Sequence, residues 1–429
     1  MKKCIALVLS LGLLLTLLAG CEMFAPDQMQ TPNYALGGNE TGSPGGPAEN
    51  GETGVDEYGF TVFPEGNYLA DKKFDTDEFL PDYDADPSFI QFLSKSFYAL
   101  CRTEDTFYSN YSKSGKTKLI MFTDKATGIS SPLCGRPECL HRDSKCNAYV
   151  ANRADGLCVY DGKLYWVNGM SNITRMNLDG TGRETVAPVG SAYNNANDNK
   201  SVVFHRGYLY VAGSQSEVIR NGVAMSAVTV NAMPLDGGEN FTILDRLLDG
   251  SSAECLIKPV GNDLYIMVYY YNHEHAYDTV EFYRWDSKTR QVKFISSTQS
   301  YHDILDLGKE SFHPVPGDGI YFQAYIRIDK KQNNVIYKYS FETNTYEEGV
   351  WLNGYSELFY CKDFIVGKAG KVVYTFDYDG NPLSQSDPVE GQLFGNFVGA
   401  DSEFAYYSCV ATENYFAVPL NGGNVIAIG

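Results

Sequence analysis

From about Phe89 to the C-terminus the chain repeats two short patterns in a fixed order, seven times each, and this repetition constrains the fold more than any other feature. The first pattern is a turn followed by a strand of aliphatic and aromatic residues. Its copies are Lys95-Ser96-Phe97-Tyr98, Gly162-Lys163-Leu164-Tyr165, Gly207-Tyr208-Leu209-Tyr210, Asn262-Asp263-Leu264-Tyr265, Asp318-Gly319-Ile320-Tyr321, Lys362-Asp363-Phe364-Ile365 and Ser402-Glu403-Phe404-Ala405. The second is a strand that ends in a polar turn, as in Phe122-Thr123-Asp124, Asn177-Leu178-Asp179-Gly180, Pro234-Leu235-Asp236-Gly237 and Arg284-Trp285-Asp286. It returns in Ser340-Phe341-Glu342, Asp377-Tyr378-Asp379-Gly380 and Pro419-Leu420-Asn421-Gly422. Asp-Gly and Asn-Gly tolerate positive φ and are strong hairpin signals.

Spread over residues 89–429, the copies recur roughly every 49 residues, and a period of 40–50 with four short strands per unit is the mark of a β-propeller. The expected fold is therefore all-β, a propeller of about seven four-stranded blades, with six to eight allowed because the last two units are short. A blade buries both faces only against its neighbours, so some 340 residues share one ring-shaped core. Periodicity near two dominates and amphipathic helical stripes are missing. The 32 Tyr, 24 Phe and 41 Gly agree with strands and tight turns.

Leu164-Tyr165-Trp166 on a second strand and Asn177-Leu178-Asp179-Gly180 after a third resemble propellers of the lipoprotein-receptor and TolB-like type. With the features below, the whole resembles a group of uncharacterised clostridial-type bacterial lipoproteins. That resemblance implies an extracytoplasmic propeller and supplies no catalytic residues.

Lys2 and Lys3 precede an apolar run from Ile5 to Leu18, too short to span a bilayer and suited to a secretory signal. Leu18-Ala19-Gly20-Cys21 resembles the lipobox of bacterial lipoproteins. The expectation is a signal peptide over 1–20, lipidation of Cys21, and a membrane anchor that leaves the chain on the extracytoplasmic face. Residues 21–88 read as a flexible acidic tether, since 22–71 hold no Lys or Arg and are rich in Gly and Pro. Within it Gly59-Phe60-Thr61-Val62-Phe63 alternates like a strand able to pair with the folded part. A formal charge of −19 repels phosphate backbones and argues against nucleic acid as a partner.

An insert over 132–150 carries Cys134, Cys139, His141 and Cys146, followed by Cys158. An even number of cysteines in an exported chain favours disulfides, so a disulfide staple of the insert is the preferred reading. The alternatives are a zinc site of three thiolates and one imidazole at Cys134, Cys139, His141 and Cys146, and free thiols in an anaerobic setting. Against the zinc site, Cys-x4-Cys-x-His-x4-Cys is not a zinc-ribbon spacing and the Cys-x-His step is short. Cys255, Cys361 and Cys409 lie in apolar surroundings and are expected in the core.

No nucleophile elbow, phosphate loop or metalloprotease helix occurs. His273-Glu274-His275 follows Tyr269-Tyr270-Tyr271 and reads as a polar hairpin loop, with two histidines at i and i+2 that a metal would also fit. Loops on a rigid ring are suited to recognition. The expected function is a non-catalytic binding or scaffold module for an envelope or extracellular glycan, peptide or protein. Tyr269, Tyr270, Tyr271, His273 and His275 are its candidate ligand residues. The alternatives are an envelope hydrolase or lyase with its site in the channel, or a subunit of an envelope complex.

Overall fold

The computed structural model describes residues 54–55, 61–62 and 90–429, with breaks at 94–97, 114–116, parts of 137–143, 151–153, 190–200, 221–222, 249–251, 273–276, 288, 301–304, 329–330, 390–394 and 410–413. The expected signal peptide, Cys21, nearly all of the expected tether, His273 and His275 lie outside these residues.

Seven four-stranded antiparallel meanders follow one another and form a seven-bladed β-propeller. The first strands of the blades are Leu100–Arg102, Ala154–Tyr160, Ser201–His205, Ala253–Val260, Leu305–Val315, Ser356–Tyr360 and Asn396–Ala400. First strands of successive blades from blade 1 to blade 6 lie against each other, which sets the first strands on the inner ring around the axis. Two-residue turns join several first and second strands. Asp161 and Gly162 both take positive φ, 48° and 69°, which lets Tyr160 and Lys163 pair directly across the hairpin.

The core consists of seven apolar wedges, one in each gap between neighbouring blades. Period-two alternation produces this directly. On the second strand of blade 2, Lys163–Asn168, Leu164 and Trp166 enter the wedge toward blade 1, while Tyr165 and Val167 enter the wedge toward blade 3. In blade 4, Leu264, Ile266 and Val268 face blade 3, whereas Tyr265, Met267 and Tyr269 face blade 5. Cys255, Cys361 and Cys409 are buried, as their apolar settings suggest.

The expected copies of both patterns fall on second strands and on the ends of third strands, with one exception. Lys95–Tyr98 precedes the first strand of blade 1, and the second strand there is Thr106–Lys113. Its leading turn is Thr103-Glu104-Asp105, which lacks the glycine or asparagine that marks most other copies. A second difference concerns the tether: Thr61–Val62 pairs with Gly54–Val55 in a local hairpin, not with the propeller.

The ring closes between blade 7 and blade 1. Arg102 Nε donates to Asp401 Oδ2 at 2.6 Å, and both side chains are fully buried. Asp401 also accepts from Tyr406 Oη at 2.5 Å and from the backbone N–H groups of Glu403 and Phe404. At the rim, Lys125 bonds Glu403 at 2.6 Å. A short strand, Gln91–Phe92, adds to the free inner edge of blade 7, pairing Phe92 with Gly399 and Gln91 with Ala400. It therefore lies in the axial channel, and Leu93 N–H extends the ladder to Val398 O at 3.1 Å.

Candidate metal centre

The Cys-rich insert interrupts the fourth strand of blade 1. Ser130–Pro132 pairs with Met121 to Thr123, and Tyr149–Val150 resumes pairing at Lys118 and Leu119. Between them the chain leaves and returns at one residue. Leu133 N–H donates to Ile120 O at 2.8 Å, and Ile120 N–H donates to Ala148 O at 2.8 Å. Leu133 and Ala148 are buried, so both ends of the excursion are fixed in the core.

Inside the excursion, the ligand atoms of Cys134, Cys139, His141 and Cys146 all lie within 4.8 Å of one another. His141 Nδ1 is 3.3 Å from Cys146 Sγ. Donors held 2.0–2.3 Å from one tetrahedral ion stand roughly 3.3–3.8 Å apart, so the cluster is close to the dimensions of a four-ligand site. Cys134, Cys139 and Cys146 are free thiols, and no two of them are joined in the expected staple. The short Cys-x-His step is accommodated by His141 itself, whose φ of 54° turns the chain back toward Cys146.

The four sites differ in their surroundings. Cys146 is buried, and burial with the neighbouring thiols of Cys139 and Cys134 pushes its pKa up to about 12. At Cys134 burial also opposes ionisation. The N–H groups of Arg136 and Asn147, with the thiols of Cys146 and Cys139, outweigh it and hold Cys134 below the ordinary thiol range. Cys134 thus supports a thiolate better than Cys146 does.

The insert is seated on blade 2, at the turn between its third strand, Asn172–Asn177, and its fourth, Glu184–Pro188. Gly135 N–H donates to Gly180 O at 3.1 Å, and Asn147 Nδ2 donates to the same oxygen at 2.8 Å. Arg183 Nη1 donates to Asn147 O at 2.9 Å and to Tyr149 O at 2.5 Å, with its guanidinium 5.5 Å from the Trp166 ring. The approach requires glycine on both sides. A Cβ on Gly180 would stand 2.8 Å from the backbone nitrogens of Cys134 and Gly135, and one on Gly135 would stand 2.4 Å from Thr181 Cγ2.

The tyrosine-rich stretch is arranged differently from a displayed recognition face. Tyr269 is buried between blades 4 and 5, and its hydroxyl donates to buried Asp278. Tyr270 packs on the wedge toward blade 3 and donates to Glu281 at 3.3 Å, while Glu281 also pairs with Arg246 at 2.7 Å. Tyr271 is half-buried. An aromatic group that is displayed occurs elsewhere. Tyr378, 41% exposed, stacks on Tyr360 at 4.7 Å and 8°, and Tyr360 stacks on Tyr321 at 4.4 Å and 20°. Its position inside an Asp-x-Asp-Gly turn was the available signal, because an aromatic in a hairpin turn has no strand face to hide on.

The axis holds another group that spacing does not announce. Lys258, on the first strand of blade 4, is buried, donates to Phe92 O at 3.2 Å and lies 4.6 Å from the centre of the Phe359 ring. Burial lowers its pKa from 10.5 to about 8, partly offset by the Cys361 thiol. Burial, then the charge of Lys258, holds buried His313 well below its ordinary value. A lone lysine within Leu256-Ile257-Lys258-Pro259-Val260 was the sequence signal for this group.

No protein-family model matches the chain, and no curated protein matches it. Among solved structures it is similar to an oligogalacturonate lyase from Vibrio parahaemolyticus, at 10% identity over 80% of this chain and 90% of that one, with a TM-score of 0.43. It is also similar to an ulvan lyase from a new polysaccharide lyase family, at 12% identity over 80% and 97% with a TM-score of 0.46. BamB from Moraxella catarrhalis is similar at 11% identity over 79% and 90% with a TM-score of 0.31. Likeness this distant carries no argument about chemistry or about a finer resemblance to lipoproteins. The assignment as a seven-bladed β-propeller stands on the blades themselves.

Proposed function

We propose that the chain is a lipid-anchored, extracytoplasmic β-propeller that serves as a non-catalytic binding or scaffold module. Its partner is an envelope or extracellular glycan, peptide or protein, and its contact with the membrane is the lipid on Cys21. The cell-membrane location follows from Leu18-Ala19-Gly20-Cys21. Zinc, held by Cys134, Cys139, His141 and Cys146, is its structural ion.

The observation that supports this reading best is the filled axis. Gln91–Phe92 pairs along the inner edge of blade 7, and Lys258 of blade 4 donates to Phe92 O from the other side of the axis, so both occupy the channel. Recognition then falls to the rims, where Tyr378 presents a stacked aromatic face.

The test is a thermal-shift screen of the full chain in detergent against envelope glycans and short peptides. A saturating rise with one class, lost in Tyr378→Ala, supports the reading. Cleavage of any of these ligands with turnover would overturn it. Loss of membrane fractionation in Cys21→Ala is the matching result for the anchor.

A further inference from the structure

Resting on the zinc reading above, we propose that the metal centre is a closed clamp that fastens the interrupted outer strand of blade 1 to blade 2. Two residues of the insert, Gly135 and Asn147, both donate to the single oxygen of Gly180 in blade 2. Each follows a ligand directly, Cys134 and Cys146 respectively. An ion held by both cysteines therefore ties the two docking points into one rigid body.

Without it, the excursion from Cys134 to Asn147 is held among the described residues by a few loop bonds. These include Cys139 N–H to Arg136 O at 3.1 Å and Arg136 Nη1 to Lys145 O at 2.5 Å. Its ends are fixed at Ile120, so the ion has to order only the interior of a loop that is already closed.

The charges also match. Three thiolates with a divalent ion leave one negative charge, and Arg183 lies beside it, with Nη1 3.5 Å from Cys146 O. On binding, the three thiols release their protons to solvent, and neutral His141 donates a ring nitrogen lone pair. Four protein donors fill a tetrahedral zinc, leaving no position for water or substrate, so the site is structural.

The experiment uses the full chain, purified reduced, stripped with a chelator and refilled with zinc. Metal per chain, melting temperature and hydrogen exchange over residues 177–183 are measured. The clamp predicts a single zinc per chain, a saturating rise in melting temperature, and exchange over 177–183 slowed by roughly tenfold or more. Arg183→Met and Gly180→Ala replace no ligand side chain and act on the backbone beside Cys146 and Cys134. Both keep the stoichiometry but lose most of the zinc-dependent rise and protection. Zinc bound without any change in melting temperature or in exchange over 177–183 overturns the clamp and leaves the zinc reading standing. A reduced chain that takes up no zinc overturns both.

Discussion

Arg102 and Asp401 are 299 positions apart in sequence and form the buried ion pair at the point where the ring closes. Asp401 is satisfied by Arg102, Tyr406 and two backbone N–H groups, so removing one partner strands a desolvated charge. Arg102→Met is expected to cost about 3–5 kcal/mol in urea unfolding, while the double replacement Arg102→Met with Asp401→Leu costs much less. Lys258 gives a residue-scale prediction in pH. Its folded pKa is depressed to about 8 against 10.5. Between these values the unfolded chain holds a proton that the folded chain has released, so stability rises with pH. Wild type is therefore expected to gain about 3 kcal/mol relative to Lys258→Met from pH 8 to above 10.5. A difference that is flat across this window, measured by urea midpoints at each pH, would contradict the burial of a titrating lysine.

The strand is the scale at which the sequence was most legible, and the scale at which it failed. Alternation of apolar residues over two faces placed Leu164 with Trp166 and Tyr165 with Val167 in opposite wedges, as any blade requires. Asp-Gly and Asn-Gly turns marked the ends of third strands because positive φ admits few other residues. Blade 1 was misread where its turn, Thr103-Glu104-Asp105, carries no such residue. The insert was legible as ligand types but not as geometry. The spacing looked too short because the φ of 54° at His141 is not written in any neighbouring residue. Nor does sequence show that Gly180, an ordinary turn glycine in blade 2, touches the backbone of Cys134. The axial strand has the same character. A Cβ on Gly399 would stand 2.3 Å from Gln91 O, so Gly399→Val is expected to expel Gln91–Phe92 from the channel. Faster hydrogen exchange at the Leu93 N–H and its neighbours in 90–93, with the other blades unchanged, is the expected outcome.

Seven wedges between seven blades explain how the ring folds as one body around a shared core. Six interfaces join blades adjacent in sequence, and only the seventh must be closed by residues from the two ends of the propeller. Blade 7 is built from C-terminal strands and blade 1 from N-terminal ones, so closure rests on the Arg102 pair, the axial strand and one wedge. The proposed metal clamp strengthens the neighbouring interface, between blades 1 and 2. Chelation of the full chain is therefore expected to lower its melting temperature, with exchange rising first in blades 1 and 2. The coordination itself is tested most directly by X-ray absorption at the zinc edge of the full, reduced chain. The account predicts three sulfur ligands at about 2.3 Å and one nitrogen at about 2.0 Å. A shell of nitrogen and oxygen alone, or a metal-free chain with two of these thiols joined in a disulfide, would contradict it.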